Sequence, residues 1–461
     1  MATPLTALVD AVAPARLGRS FRSMLAAVVV MNIGDGIVLA AGPLLVASLT
    51  RDPFLVSLAF LCEFLPSLVF GTVAGVVVDR VDRRRLVVLV NVLRAGILAV
   101  LAGIVVTGST SIAAVLVTLL VLGTAEALAD LAASSLLPRM VPRSELGIAN
   151  ARLSGSFLLT NQLLGPPIGA FLFAAGMAIP FAVDAVCFVL GAVLIARIAA
   201  SDVAPPRGET VHHAAVEPGD LDLDDGATLQ GARDLPVTVS APRLTFRALA
   251  TDLAEGFRWL RSHPAMRTLA LTIFAFNVTY GAAWSVLVLY ATDRLGMDSV
   301  GFGLLTTAMA IGGVIGTTAY GRLERRFSLA GIMRVGLVIE TATHLTLALT
   351  QSPAVALLTM TVFGAHAFVW GTTSTAIRQR AVPDELMGRV GGIYRVGLNA
   401  GIVVGTPIGG LLARELGITA PFWFGFAGSA ILVAILWREL GHIAHAGEAH
   451  ADRAEAAPAG G

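Results

Sequence analysis

The sequence predicts an all-α integral membrane protein, with twelve transmembrane helices in two six-helix bundles related by duplication. Three observations predict it. Of 461 residues, 56% are hydrophobic and only 14% charged, and the mean hydropathy is +0.80, far from an ordinary soluble domain. Roughly twelve apolar stretches reach the ~20 residues needed to cross a bilayer. The chain is also written twice. Glu145-Leu146 leads to Gly165-Pro166-Pro167-Ile168-Gly169-Ala170, and Glu385-Leu386 leads at the same spacing to Gly405-Thr406-Pro407-Ile408-Gly409-Gly410. Arg94 with Arg334, Gly123 with Gly364 and Pro180-Phe181 with Pro421-Phe422 fall near the same offset.

Spans 1 to 6 are read near 22–47, 54–78, 86–107, 111–137, 153–175 and 178–199, within an N-terminal bundle over 21–199 preceded by a segment at 1–20. Spans 7 to 12 are read near 268–292, 299–321, 329–350, 353–377, 391–413 and 418–438, within a C-terminal bundle over 267–438. Pro66, Pro166 and Pro407 interrupt their spans, which membrane helices tolerate where neighbours re-satisfy the backbone. No lysine occurs, so arginine alone sets orientation. Arg16, Arg19 and Arg22 precede span 1; Arg80, Arg83, Arg84 and Arg85 follow span 2; Arg139, Arg143 and Arg152 follow span 4. Arg322, Arg325 and Arg326 follow span 8, and Arg378, Arg380 and Arg389 follow span 10, while the alternate loops hold only Arg51, Arg294 and Arg414, each beside an acid. The positive-inside rule then predicts a multi-pass protein of the cytoplasmic (inner) membrane with both termini in the cytoplasm.

Residues 200–266 read as a cytoplasmic linker. Pro205-Pro206 and the acidic run from Glu217 to Gly226 cannot bury enough apolar surface to fold. Phe246, Leu249, Leu253, Phe257 and Leu260 then recur at helical spacing with Arg247, Arg258 and Arg261 among them, predicting an amphipathic helix over 245–263 on the inner membrane surface. Residues 439–461, rich in Ala, Gly and His, are expected to form a disordered cytoplasmic tail, with no metal site in its histidines. Cys62 and Cys187 lie in apolar runs and imply no disulfide framework. Residues 1–20 lack the features of a cleaved signal peptide.

The loop after span 2 runs Gly75-Val76-Val77-Val78-Asp79-Arg80-Val81-Asp82-Arg83-Arg84-Arg85. An acid followed by arginines at a helix end can form pairs in one conformation that break in another, as a gate requires; simple anchoring by arginine is the alternative. The loop resembles the signature loop of the major facilitator superfamily, and the resemblance extends over both halves, leaving out the linker and the tail. More narrowly, the chain is similar to the branch holding bacterial multidrug and macrolide efflux pumps and enterobactin exporters. The stretches that carry this are Gly34-Asp35-Gly36, Gly123-Thr124-Ala125-Glu126-Ala127, Leu137-Pro138-Arg139-Met140-Val141-Pro142 and Pro180-Phe181-Ala182-Val183-Asp184-Ala185. Gly165, Pro166 and Gly169 of span 5 resemble the core of the motif associated with drug–proton antiporters, although Asn161 stands where that motif has glycine. The resemblance implies the major facilitator fold, a gating role for Gly75, Asp79, Arg80, Asp82, Arg83 and Arg84, and a central cavity lined by spans 1, 4, 7 and 10.

Ionisable residues inside spans cost several kcal/mol in lipid unless they face a cavity or a partner. Asp35 of span 1, Glu63 of span 2, Glu126 and Asp130 at i, i+4 on span 4, and His366 of span 10 are therefore the proton-coupling candidates. The lining spans that the resemblance implies favour Asp35, with Glu126 as its partner. Asp184, Glu340 and Glu63 read first as structural groups, and Arg94 or Arg334 as partners for a buried acid. Span 4 lacks the arginine that many proton-coupled exporters of the superfamily carry, so no relay through such a group is expected. Phe276, Tyr280 and Trp284 recur at i, i+4, i+8 on span 7 beside Asn277, and Phe363, His366 and Trp370 share a face of span 10. With Asn32 of span 1, they would form an aromatic, weakly polar cavity suited to a bulky amphipathic ligand.

The expected function is secondary active transport: proton-coupled export of drugs or amphipathic small molecules by alternating access. Siderophore or lysophospholipid transport on the same fold is the nearest alternative, and a membrane ligand sensor is the alternative of another class. The expected partners are a small-molecule substrate, protons and the bilayer, with the protein a monomer. No enzyme activity is expected, because there is no His-Glu-x-x-His helix, no serine–histidine elbow and no phosphate-cradling loop ending in lysine. No cofactor is expected either, and a net charge of +1 gives no reason to expect nucleic acid.

Overall fold

Long apolar helices joined by short loops make up the structure, a computed structural model that describes residues 14–70, 82–198 and 246–444. The first six spans are the helices Gly18–Leu49, Pro53–Phe70, Arg83–Val106, Ile112–Met140, Leu146–Ala175 and Ile179–Ala196. Span 7 runs over Pro264–Trp284 and, after a 44° bend, Leu287–Arg294. Spans 8 to 12 are Ser299–Arg326, Leu329–Leu349, Pro353–Ala381, Asp384–Leu416 and Ala420–Leu436. Nine of these helices are long and apolar enough to cross a membrane alone; the bent span 7 and the shorter spans 2 and 12 complete twelve apolar segments. The described residues contain no strand.

Helix starts follow the local sequence. The side chains of Asp82, Ser111, Asp298 and Ser328 accept from the backbone N–H three residues on, capping spans 3, 4, 8 and 9. Pro180, Pro264, Pro353 and Pro421 sit in first turns, where a missing N–H costs nothing.

The duplication is expressed in packing. In the first half span 1 packs on spans 5 and 6, span 3 on spans 4 and 6, and span 2 on span 4. The second half repeats all five pairings six spans later: 7 on 11 and 12, 9 on 10 and 12, and 8 on 10. Small residues permit this closeness. A Cβ at Gly169 would overlap the backbone of Ile37 on span 1, and one at Gly405 the backbone of Val278 on span 7. The halves meet where span 2 packs on span 11 and span 5 on span 8.

Two segments outside the spans pack on the second half. A helix over Phe246–Ser262 rests on the start of span 11, with Gly256 against Arg389 and Glu255 bonded to Arg389 at 2.9 Å. It is separate from span 7, because His263 between them has an extended backbone and stacks its ring on Trp259 at 3.9 Å. The expectation of a disordered tail from residue 439 is corrected for its first turns. Glu439–Ala444 is a short helix whose Leu440 and Ile443, at i, i+3, are fully buried beside Met266, Leu269, Met333 and Leu337. The acidic part of the linker and residues 445–461 lie outside the described residues.

Candidate functional site

Beyond its first turns span 1 is largely apolar, and Asp35, its one acid, sits near the middle between two glycines. Both glycines let neighbours close in: Gly34 lies against the carboxyl of Asp184 on span 6, and Gly36 against the backbone of Asn161 and Gly165 on span 5. Asp35 is thereby drawn against span 3. The Nη2 of Arg94 donates to Asp35 Oδ1 at 2.5 Å and stands 3.6 Å from Glu126 Oε2 on span 4. The guanidinium also lies 4.0 Å over the ring of Phe188 on span 6. Only 6% of the Arg94 side chain is exposed, so this is a buried cation shared by two carboxylates.

These groups line a cavity of about 340 Å³ near the middle of the bundle. Glu63 of span 2 and Asp184 of span 6 line it too, so four carboxylates share one cavity with one arginine. Asp184 is 1% exposed, and its Oδ1 has no hydrogen-bond partner among the described residues. Such a surplus of negative charge in a water-poor site must be offset by protons or by a cationic ligand. From the second half, Tyr280 and Trp284 close the cavity, their rings stacked 4.6 Å apart.

Asn161 and Gln162 reach the same cavity from span 5, where Leu158–Leu164 is a π-helical stretch. Its cause lies in the sequence. Pro166 and Pro167 have no N–H to offer the carbonyls of Gln162 and Leu163, so the turn widens. Gln162 Nε2 donates to Asn161 Oδ1 at 2.6 Å, giving the first half a pair of neutral polar side chains beside its acids.

A second cavity, of about 1040 Å³, lies among spans 7, 10 and 11 and extends to Arg378 and Arg395 at the arginine-rich face. Asn277, Trp370 and Phe276 line it, and Ser67 borders both cavities. Phe276 and Trp370 stack at 5.9 Å with planes 4° apart. The indole N–H groups of Trp284 and Trp370 are buried donors with no hydrogen-bond partner among the described residues.

The opposite face is closed by contacts between the halves. Arg51 bonds Asp293 at 2.9 Å and reaches Thr292 at 3.5 Å, and Arg414 pairs with Asp52 at 3.5 Å. Below them Gly410 of span 11 packs on Phe54 and Ser57 of span 2, and Gly303 of span 8 packs on Ala170 of span 5.

Asp35, Glu63, Glu126, Tyr280, Trp284, Asn277 and Trp370 are thus cavity residues, divided between the two spaces. Two expectations are corrected. His366 lines neither cavity: its side chain is 1% exposed and turns toward Glu340 of span 9, because the face it shares with Phe363 packs inside the second half. Asn32 also lines neither cavity; it lies one turn from Asp35 on span 1 and is only half-buried. Arg94 of span 3, one of the two arginines expected as partners for a buried acid, stands between Asp35 and Glu126, on a different helix from the span 4 arginine that the sequence lacks. Arg334 is not a partner for a buried acid in this arrangement; it donates to the Trp437 carbonyl at 2.9 Å.

The side chain of Asp130 lies outside the described residues, as do Gly75, Asp79 and Arg80 of the expected gating loop. The described part of that loop bonds locally. Asp82 caps span 3, and Arg84 donates to the carbonyls of Ile195 (3.3 Å) and Ala196 at the end of span 6, within its own half. Arg83 opens span 3. Gly165 and Gly169 form the seam between spans 5 and 1, while Pro166 faces Gly303 of span 8 and borders the acidic cavity. Among the described residues no group of His, Cys, Asp and Glu is arranged to hold a metal ion.

Comparison with known proteins agrees with this architecture. The chain is 26% identical over 411 residues to the multidrug efflux pump Tap of Mycolicibacterium fortuitum, covering 87% of this chain and 90% of that protein. It is 22% identical over 390 residues to macrolide efflux protein A of Streptococcus pyogenes, covering 83% and 86%. Among solved structures, a bacterial homologue of the iron transporter ferroportin in an inward-facing state superposes with a TM-score of 0.66 at 16% identity, over 91% of this chain and 98% of that one; this likeness is one of fold. The family model of the Major Facilitator Superfamily matches residues 24–396 and 269–459, and the chain belongs to that superfamily of membrane transporters.

Proposed function

We propose that this protein is a proton-driven exporter of bulky amphipathic molecules, cationic ones above all, working by alternating access across the cytoplasmic membrane. The observation that carries the reading is Arg94 shared between Asp35 and Glu126 in a cavity that also holds Glu63 and Asp184. A proton arriving on Asp35 releases Arg94 toward Glu126, and a cationic cargo competes for the same surplus of negative charge. Proton and cargo then exclude one another at one site, as antiport requires. The relatives named above are efflux pumps, which supports the outward direction.

With the arginine-rich face in the cytoplasm, the ion pairs at Arg51 and Arg414 shut the external side, and the larger cavity admits cargo from within. The stacked rings of Phe276 and Trp370, and of Tyr280 and Trp284, offer flat apolar surface to an aromatic cargo. The free indole N–H groups of Trp284 and Trp370 would meet its polar atoms. Four carboxylates disfavour an anionic cargo, which sets a siderophore behind a cationic drug.

The test is flux in proteoliposomes under an imposed pH difference, with tetraphenylphosphonium and ethidium as cationic probes and a neutral macrolide beside them. Accumulation against a probe gradient that collapses when the pH difference is dissipated supports the proposal. Flux indifferent to the pH difference rules out proton coupling.

A further inference from the structure

A second cluster of ionisable groups lies inside the C-terminal half, apart from the acidic cavity. Glu340 of span 9 is fully buried, and its two oxygens face two imidazoles. His344, one turn along the same helix, places Nε2 3.0 Å from Oε1; His366 of span 10 places Nε2 3.4 Å from Oε2. The side chains of all three are at most 1% exposed. Glycine on each side gives the rings room: Gly425 of span 12 lies against His344 Nδ1, and Gly336 of span 9 against His366 Nδ1. Neither Nδ1 has a hydrogen-bond partner among the described residues.

An ionised carboxylate so deep needs a compensating charge. The elements around it offer few. Span 12 has no titratable residue over Ala420–Leu436, and span 7 contributes Tyr280. Of the arginines on the two helices that hold the cluster, Arg334 is bonded at the Trp437 carbonyl, Arg380 pairs with Glu324, and Arg378 stands over the ring of Tyr394. The charge that balances Glu340 is therefore a proton held within the cluster, on one imidazole or on the carboxyl itself. Two imidazoles for one carboxylate leave a place for a further proton.

The cluster touches the wall of the transport path. Trp284, which closes the acidic cavity, meets the His344 ring edge-on at 5.9 Å. Phe276, which lines the larger cavity, meets His366 at 6.3 Å, and Phe363 meets it at 6.1 Å. A change of charge on either imidazole acts on the rings that would hold cargo, through their quadrupoles and through the space that a reoriented ring needs.

We propose that Glu340, His344 and His366 form a second proton-binding site, in the half of the transporter opposite Asp35 and Arg94, which reports its protonation to the aromatic wall through Trp284 and Phe276. The site is sized for protons, since its three side chains are at most 1% exposed and line none of the cavities described above. It rests on the proton-coupled reading above and adds to it: each half then carries a proton site of its own, one facing the cavity and one sealed behind the wall.

The test uses the full-length protein, purified into lipid nanodiscs, with Trp259, Trp423 and Trp437 changed to Phe so that Trp284 and Trp370 remain as fluorophores. A protonated imidazole against an indole quenches it, and Trp284 lies edge-on to the His344 ring. Acidification should therefore quench fluorescence in a single transition. His344→Gln/His366→Gln and Glu340→Gln should each remove it, and Asp35→Asn should keep it. Should the double variant not fold, His344→Gln and His366→Gln read singly decide the matter, each having to reduce the amplitude by at least half. A transition that survives unchanged in these variants, or the lack of any transition, overturns the proposal. The readout needs neither cargo nor gradient. A protein whose flux ignores the pH difference but whose fluorescence titrates as described would lose the antiport reading and keep this site, and the reverse outcome would do the opposite.

Discussion

Arg51 and Asp293 are 242 residues apart in sequence and 2.9 Å apart in space, joining the loop between spans 1 and 2 of one half to the end of span 7 in the other. The Arg51 side chain is 69% exposed and that of Asp293 47%, so the pair is screened by solvent and contributes at most about 1 kcal/mol. Arg51→Ala should therefore raise the share of the externally open state no more than about fivefold. Arg51→Ala/Arg414→Ala should raise it further, because the two latches share no residue. Thiol-labelling rates at Ser57→Cys, which Gly410 covers in the closed arrangement, measure the effect in a Cys62→Ser/Cys187→Ser background. A rate equal to that of the intact latch would show that helix packing alone keeps this face shut.

Arg94 is the residue on which the acidic cavity depends for stability. Arg94→Ala leaves Asp35 and Glu126 facing one another without their cation. Breaking a buried pair from one side costs about 3–5 kcal/mol; the 41% exposure of the Glu126 side chain argues for the lower end. The melting temperature should fall clearly, and Arg94→Ala/Asp35→Asn should recover much of the loss, since the second change removes the stranded charge. Arg94→Lys keeps the charge but loses the planar guanidinium that lies over the Phe188 ring, and should fall between. A double variant no more stable than Arg94→Ala would mean that the pair is not coupled energetically.

Much of the fold was legible because lipid imposes simple rules on sequence. The apolar segments, the two halves and the linker helix follow from apolar length, arginine position and helical spacing. The expected end of span 2 lies outside the described residues, and spans 1, 5 and 11 begin earlier than their apolar runs. The offset of about 240 residues is matched by spans 7 and 11 packing as spans 1 and 5 do. Asp35 stood out as the one acid of a largely apolar span. Partners were less legible. Arg94 was visible as a lone arginine in span 3, but its choice of Asp35 and Glu126 over any other acid depends on how spans 1, 3 and 4 converge. His366 was assigned to the cavity because it shares a stripe with Trp370. Periodicity defines such a stripe without saying which neighbour it meets, and span 9 supplies Glu340. Pro166 reads in the sequence only as an interruption of span 5; the π-helical turn at Leu158–Leu164, and the side chains it rotates into the cavity, could not be read from the prolines alone.

Glycine recurs every fourth residue along span 11, at Gly397, Gly401, Gly405 and Gly409, and the contacts separate packing from mere recurrence. Gly397 and Gly405 are equivalent in the sequence pattern, but a Cβ at 397 meets nothing within 4 Å, whereas one at 405 would strike the carbonyl of Val278. Gly405→Leu should lower stability by about 1–3 kcal/mol or more through overpacking, and transport with it. Gly397→Leu should fold normally. Melting in detergent and abundance in membranes separate the two, and equal losses at both sites would undo the assignment of spans 7 and 11 as a tight seam.

The coupling role proposed for Asp35 gives the sharpest prediction. Asp35→Asn imitates a permanently protonated acid and leaves Arg94 to Glu126, at 3.6 Å the nearest remaining carboxylate described for it. The exchange between proton and cargo is then lost at its proton side only. Uphill accumulation of tetraphenylphosphonium in proteoliposomes with an imposed pH difference should be abolished, while downhill exchange of the same probe continues. Glu126→Gln removes negative charge without removing the Asp35–Arg94 bond, so it should weaken cationic probes more than a neutral macrolide and leave accumulation of the macrolide coupled to the gradient. Comparing uphill with downhill flux separates coupling from simple damage, because a misfolded transporter loses both. If Asp35→Asn still concentrates the probe as steeply as the wild type, the proton enters elsewhere. Glu63 and Asp184, the other two acids lining that cavity, become the next residues to change.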